Sequence, residues 1–277
     1  MSYDNLFWGG KNLAGVNVPS HTQWRIKAES LLSDCDIFTP TADKRFPLGA
    51  LAESRDGRLF RYVENAAATC PKAAMTQSSA PVANWLEQVQ TYGVAGVAGD
   101  KTLAANLAAT ATAGDFIDGW LLCQDVTTAV LGDMYLIKDN TTGVADATSG
   151  YDITLHIADA GGLRTAIPIT CEITVIKNKY KDVLVIPAAA ATNAPVGVPL
   201  VDITASYYGW VQTRGPCPLL IDTDTVVVGD QVGEPDDTNV AGGAGIHAVT
   251  FPIYGIVLSK PTNTQTDQPA IVDLCIE

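Results

Sequence analysis

The residues most able to do chemistry lie close together in one stretch, YGWVQTRGPCPLLID at 208–222. This stretch combines a cysteine, Cys217, and an arginine, Arg214, with aromatic side chains. Nucleophilic catalysis by a cysteine needs a nearby base, or a positive charge that lowers the pKa of the thiol. No histidine lies near Cys217 in the sequence, and the thiol stands between two prolines. The stretch therefore favours a structural role over an active site.

Strand periodicity explains the same crowding without chemistry, because successive side chains of a strand point to opposite faces. Tyr208, Trp210 and Gln212 are expected on one face, and Tyr207, Gly209, Val211 and Thr213 on the other. The Gly-Pro pair at 215–216 predicts a corner that ends this strand. A second strand is then expected to begin at Pro218.

The histidines also give no sign of a catalytic site, since His21, His156 and His247 lie far apart in sequence. In DITLHIAD, alternation places His156 on the strand face opposite the apolar neighbours, which favours a structural histidine. The sequence contains no phosphate-loop, dinucleotide, zinc-protease or serine-hydrolase motif. We therefore expect neither an enzyme nor a cofactor.

Acidic residues are the remaining candidates for ligand binding. Asp222 and Asp224 stand in IDTDT, and Glu234, Asp236 and Asp237 belong to an acidic, glycine-rich loop that follows. Grouped carboxylates are ligands that Ca²⁺ prefers. The spacing is not that of an EF-hand loop. We favour solvated loops and predict no metal, with a calcium site as the alternative.

The six cysteines, at 35, 70, 123, 171, 217 and 275, form no C-x-x-C pair and no cluster with histidine, so we expect no zinc site. The N-terminus lacks the basic segment and apolar run of a secretory signal. We expect reduced, mostly buried thiols in a protein made in the cytoplasm, with a disulfide framework as the alternative.

Composition narrows the class of partner. The chain has 277 residues and a net charge of −13, with 47% hydrophobic and only 17% charged residues. Backbone contacts to nucleic acid need clustered lysine and arginine, so we expect no nucleic-acid partner. No run reaches the ~18 apolar residues of a membrane span, so we expect no membrane partner. Low charge fits a protein that buries surface against neighbours, and it also fits an ordinary β-rich domain.

The elements that must position these residues are predicted to be mainly β-strands. In LGALAESRDGRLFRYVEN, Asp56-Gly57 supplies the turn of a hairpin, with Phe60 and Tyr62 on one strand face. Gly-Asp pairs recur at 99–100, 114–115, 132–133 and 229–230, and predict tight turns at the entry to strands. Strands and helices do not alternate, which excludes Rossmann and TIM-barrel folds. We expect β units of the sandwich or barrel type.

Residues 1–47 differ from the rest and predict an extended N-terminal arm. One short helix is expected in HTQWRIKAESLLSD at 21–34, where apolar residues recur at helical spacing. The uncharged run PAAAATNAPVGVPL at 187–200 is typical of a connection. We therefore place one β domain at 48–190 and a second β unit at 191–277.

Several patches of the sequence resemble structural proteins of tailed bacteriophages. The patches are YYGWVQTRGPCPLLIDTDTVVVGDQV with the later FPIYGIVLS, the hairpin LGALAESRDGRLFRYVENAA, and DGWLLC with LGDMYLIKDN. They lie between residues 48 and 260 and do not include the arm. The likeness implies a virion component, most similar to a decoration (cement) protein that binds the outside of the capsid.

This resemblance implies two partners: the phage major capsid protein, and further copies of the chain in a homotrimer. It implies synthesis in the host cytoplasm and a final location on the capsid exterior. The arm then supplies apolar anchors for the capsid or a neighbouring chain, at Leu6, Phe7, Trp8 and Trp24. The alternatives are another virion part, such as a tail or major capsid component, and a β-sandwich protein that binds or degrades glycans.

Overall fold

The computed structural model describes most of the chain. The described residues are 25–27, 36–54, 56–90, 94–124, 129–145, 150–188, 191–221, 226–234, 240–247, 252–260 and 268–277. Strands account for 45% of the structure and helical turns for about 1%. The expectation of a mainly β protein with sandwich-like or barrel-like units is confirmed, because two curled, mostly antiparallel sheets each form a half-barrel. Within the described ranges, no helix is both long and apolar enough to cross a membrane.

The described residues form eighteen strands. They are β1 (Arg25–Lys27), β2 (Leu51–Glu53), β3 (Leu59–Glu64), β4 (Thr76–Gln77), β5 (Gln88–Val89), β6 (Thr102–Leu107), β7 (Trp120–Cys123), β8 (Met134–Asn140), β9 (Val144–Ala145), β10 (Tyr151–Ile157), β11 (Glu172–Ile176), β12 (Leu184–Val185), β13 (Pro195–Pro199), β14 (Tyr208–Ile221), β15 (Gln231–Gly233), β16 (Gly245–Ile246), β17 (Ile253–Ser259) and β18 (Gln268–Cys275). Within the described ranges, one 3-10 turn spans Ala83–Trp85.

The strands divide into two compact units, which differ from the predicted domains. Unit 1 runs to Ser79 and resumes at Lys179, and unit 2 is Ala80–Asn178. The predicted boundary near residue 190 lies within unit 1, where β4, before unit 2, pairs with both β12 and β13, after it. Unit 2 is therefore an insertion between paired strands of unit 1.

Unit 1 is built on a sheet of eleven described strands. Its main path runs β1-β2-β3-β14-β18-β17-β15-β16, while β4, β12 and β13 pair beside it. The predicted hairpin is confirmed, since Ala52 of β2 lies opposite Phe60 of β3. Phe60 and Tyr62 are buried on one face of β3, and Tyr62 packs against Trp210 with ring centroids 5.1 Å apart.

The described part of the predicted arm belongs to unit 1. Residues 25–27 form β1, which runs parallel to β2, so the predicted helix is wrong at these residues. The backbone pairing to β2 stabilises an extended segment where side-chain spacing alone favours a helix. Further along, Thr41 exchanges two backbone hydrogen bonds with Tyr208, of 2.8 and 2.9 Å, and Phe46 packs edge-on against Tyr62.

The long strand β14 corrects the predicted corner at 215–216. The chain stays extended to Ile221, pairing with β3 up to Arg214 and with β18 from Arg214 onward. A register shift between Gln212 and Arg214 and a left-handed Gly215, with a φ of 85°, mark a bulge instead of a corner.

The prolines of β14 fit this strand because they fall on alternate residues. The amide of Leu220 points away from β18, since it bonds the carbonyl oxygen of Ala73. Pro216 and Pro218 stand four and two residues before Leu220, so their nitrogens also point away from β18. Their missing N–H groups therefore remove no bond to β18. The buried carboxamide nitrogen of Gln212 also lies 3.0 Å from the carbonyl oxygens of Arg214, Gly215 and Pro216.

Unit 2 is a curled sheet whose two end strands meet through side chains. Its strand order is β5-β11-β7-β8-β10-β6, with β9 beside β10. The buried carboxamide of Gln90 accepts the N–H of Asn106 at 2.9 Å and donates to its carbonyl oxygen at 3.1 Å. Gln88 accepts the N–H of Ala108 at 3.1 Å. Glutamine side chains thus replace the backbone ladder between β5 and β6, around an apolar core drawn from every long strand of the unit.

The four Gly-Asp pairs are tight turns, as predicted. In each, the aspartate N–H bonds the carbonyl oxygen three residues earlier and the glycine has a positive φ, which an L side chain disfavours. The φ values are 94° at Gly99, 83° at Gly114, 83° at Gly132 and 95° at Gly229. In three of the turns, the aspartate carboxylate also accepts the N–H three residues earlier, which fastens the turn.

Candidate interaction surface

An apolar surface lies on the outer side of unit 1, where β14, β18 and β17 are adjacent. One row of side chains is Pro216, Asp273 and Ile256, and the next is Pro218, Ile271 and the bulged pair Leu258 and Ser259. The residues that alternate with them, Cys217, Val272 and Val257, are buried in the core. Alternation therefore turns both rows outward. We call Pro216, Pro218, Ile256, Leu258 and Ile271 the apolar sheet face.

The apolar sheet face is open to solvent in the isolated chain. Ile256, Leu258 and Ile271 are 43, 46 and 48% exposed. Asp273 is the charged residue in these two rows. Arg214 is exposed at the border of the apolar sheet face, where it lies opposite Cys275 of β18. A solvated antiparallel sheet normally presents polar side chains on this side. Contiguous apolar surface with a polar border is typical of a protein interaction site.

Cys217 lies directly beneath this face and is a core residue, as the sequence indicates. Its side chain is 1% exposed and packs in the unit 1 core. Burial raises the pKa of the thiol to about 12, so the thiol stays protonated at neutral pH. A protonated, buried thiol is a poor nucleophile. Trp210 and Val211 belong to two different core clusters. This confirms the prediction that they lie on opposite faces of the strand.

The other residues proposed for chemistry are dispersed where the structure describes them. His156 alternates with buried Leu155 and Ile157 on β10, as predicted. Glu234 is 3% exposed, and its carboxylate accepts the N–H of Ala191. Tyr254 is fully buried, and its hydroxyl has no hydrogen-bond partner among the described residues. Its pKa is raised first by burial and then by the charge of Glu234. In the described part of the chain, no group of three or more histidine, cysteine or acidic side chains is placed to hold a metal ion.

Unit 2 carries an open depression of about 410 Å³ on its β6–β10 side. Asp152 and three threonines provide its polar lining, and its apolar lining includes Val94 and Val144. The Asp152 carboxylate accepts a hydrogen bond from the Asn106 side chain at 2.9 Å. Acid–base hydrolysis of glycans needs two carboxyl groups about 5–9.5 Å apart. The lining of this depression supplies one carboxyl group, that of Asp152.

Several residues singled out in the sequence lie outside the described ranges. They are the proposed arm anchors Leu6, Phe7, Trp8 and Trp24, with His21, Asp222, Asp224, Asp236 and Asp237. Sequence reasoning missed the apolar sheet face. The available signal was the alternation of Pro216 and Pro218, together with Ile256 and Leu258 two residues apart in FPIYGIVLS.

The resemblance to phage proteins receives no independent support from known proteins. No family model matches this chain, and neither do the curated proteins or the solved structures.

Proposed function

We propose that this chain is a bacteriophage capsid decoration (cement) protein, which binds the outer surface of the head and stabilises the junctions between major capsid subunits. The observation that carries the proposal is the apolar sheet face of unit 1. Resemblance to virion proteins agrees with it, and so does a chain whose regular secondary structure is nearly all β-strand. The role needs a stable body and a large binding surface, without catalysis.

The apolar sheet face has the composition that binding to a folded protein surface requires. A specific interface buries about 1,200–2,000 Å² in total, and a few apolar anchors carry most of its energy. Ile256, Leu258 and Ile271 protrude from a rigid sheet, so their ordering on binding costs little conformational entropy. The major capsid protein is the proposed occupant of this face.

The remaining contacts belong to the arm and to other copies of the chain. Leu6, Phe7, Trp8 and Trp24 add anchors on the capsid or on a neighbouring chain. A homotrimer fits a position at the threefold junctions of a capsid, because closed cyclic symmetry lets each copy use the same contacts.

The proposal is tested by replacing one residue of the face with a charge. Ile271→Lys should weaken binding to capsids that lack the protein by at least about tenfold, since burying an unpaired ammonium costs more than 1.4 kcal/mol. Leu131→Lys is the matched control, because Leu131 is 55% exposed in a turn of unit 2. Co-sedimentation with purified capsids measures both variants.

Two results would contradict the proposal at different levels. Normal binding of Ile271→Lys would exclude the apolar sheet face as the docking site. Absence of the wild-type chain from purified virions would exclude the decoration role itself. Copy number separates the virion alternatives, since decoration requires about as many copies as the major capsid protein, whereas a tail or vertex component is present in a handful.

A further inference from the structure

Two cysteines of unit 2 lie side by side in its core. Cys123 ends β7 and lies opposite Ile173 of β11. The N–H of Gln124 bonds the carbonyl oxygen of Glu172 at 2.8 Å, so the antiparallel register continues toward Cys171. Cys171 is two residues from Ile173, which makes it the diagonal neighbour of Cys123 on the same sheet face.

The two thiols contact each other in the folded protein. Both side chains are fully buried in the unit 2 core, and they lie within hydrogen-bonding reach of one another. The other described cysteines have no such neighbour, because Cys70 and Cys217 belong to separate clusters of unit 1 and Cys275 is exposed. Diagonal neighbours on one face of an antiparallel pair are normally about 7–8 Å apart, so a local shift of the chain at Cys171, just before β11, must bring the two Cβ atoms within the roughly 4.5 Å that a disulfide requires.

We propose that Cys123 and Cys171 form a disulfide when the chain is exposed to an oxidising medium that contains a low-molecular-weight disulfide. In the first step, one thiolate attacks the small disulfide, forms a mixed disulfide and releases one thiol. The second cysteine thiolate then attacks the protein sulfur of the mixed disulfide and releases the other thiol. Together the two cysteines lose two protons and two electrons. The small disulfide takes up these protons and electrons and becomes two thiols.

Burial controls when this reaction takes place. The first cause that raises the pKa of Cys123, to about 12, is burial in the core, and the neighbouring thiol raises it further. The closed unit therefore resists attack, and oxidation proceeds when unit 2 opens transiently or before its sheet has curled closed. Once formed, the bond joins β7 to the start of β11 and encloses β8, β9 and β10 in one covalent loop.

The bond is detected directly by peptide mapping of the full-length protein. Protein purified with reductant is incubated with glutathione disulfide, at urea concentrations below the unfolding midpoint, then alkylated and digested without reduction. The expected product is a peptide pair joined through Cys123 and Cys171, with a loss of two free thiols. The melting temperature should rise by about 5 °C or more, because the cross-link restricts the unfolded chain.

Two variants provide the controls. Cys217→Ala should form the same cross-link as the wild type, whereas Cys171→Ala should form none and should gain no thermal stability on oxidation. Mass spectrometry of the wild type decides the matter even if Cys171→Ala folds poorly. Full retention of all free thiols, stable glutathione adducts on Cys123, or cross-links confined to Cys275 would each overturn the proposal.

Discussion

Buried carboxamide side chains fasten strands and loops in both units. Asn65 donates to the carbonyl oxygens of residues 68 and 203 at 2.8 Å. Asn140 donates to the carbonyl oxygen of Thr112 and accepts the N–H of Phe116, both at 2.8 Å. Gln77, Gln90 and Gln212 do the same at strand edges. A neutral amide both donates and accepts hydrogen bonds, and its burial costs far less than that of an ion. This explains how a chain with only 17% charged residues satisfies its buried backbone.

Buried thiols make the stability of the protein sensitive to alkali. Burial raises the pKa of Cys70, Cys123 and Cys217 from 9.0 to about 12. The unfolded chain therefore loses these protons first, so the contribution is intact below pH 9 and is lost between pH 9 and 12. At about 1.4 kcal/mol per pH unit for each thiol, the free energy of unfolding should fall by about 4 kcal/mol per unit.

Urea denaturation at pH 8 to 11, followed by tryptophan fluorescence, measures this slope. Cys217→Ala should reduce this slope by about 1.4 kcal/mol per pH unit, which is the contribution of one thiol. A wild-type stability that is flat across this range would show that the thiols ionise equally in the folded and unfolded states.

At the scale of elements, the backbone of one corner of unit 2 depends on particular glycines. Gly99 has a φ of 94° with open space around it, and Gly162 has a φ of 72° with its Cβ position 2.3 Å from the Asp100 carbonyl oxygen. Gly161, next to it, has neither constraint. The sequence motif AGGLR thus reflects turn geometry.

Alanine substitution at these three glycines should lower the free energy of unfolding by different amounts. We expect Gly161→Ala to change the free energy of unfolding by less than about 0.5 kcal/mol, and Gly99→Ala to lower it by about 1–2 kcal/mol through backbone strain alone. Gly162→Ala adds a steric clash with backbone and should cost more than about 3 kcal/mol. Chemical denaturation of the three variants gives the order, and an equal cost at Gly161 and Gly162 would contradict it.

Local patterns in the sequence predict the elements whose stabilisation is also local. The Asp56-Gly57 hairpin, the Gly-Asp turns and the alternation at Trp210 and Val211 follow from neighbouring residues, and the structure confirms them. The continuity of β14 past Gly215 depends on β18, more than fifty residues away, so a local rule placed a corner there.

The candidate surface was harder to foresee than the fold. Alternation shows that Ile256 and Val257 point to opposite sides, but it does not tell which side the rest of the chain covers. That depends on the long-range pairing of β17 with β18 and of β18 with β14.

At the scale of the whole molecule, unit 2 is a self-contained insertion. Its core cluster contains only its own residues, and the strands that flank it pair with each other, with Leu184 opposite Gln77. The Ser79 hydroxyl also donates to the Lys181 carbonyl oxygen at 3.3 Å across the base of the insertion. The two ends of unit 2 therefore leave unit 1 close together, which favours independent folding.

Excision of residues 80–178 should leave a folded unit 1. Ser79 is joined to Lys179 through a short glycine linker, and unit 2 is produced separately with its natural ends. Each fragment should give a β-type circular dichroism spectrum and a cooperative thermal transition. Non-cooperative melting of excised unit 1, with unit 2 folded, would show that the β4–β12 pairing needs the insertion.

The free edge of β14 has a further consequence at high concentration. An exposed strand edge normally recruits strands from other molecules, which leads to aggregation. Along Arg214, Gly215 and Pro216, the carbonyl oxygens are already engaged by Gln212, and Pro216 and Pro218 have no N–H to offer. Many copies can therefore gather at high local density without joining edge to edge into fibrils through this strand.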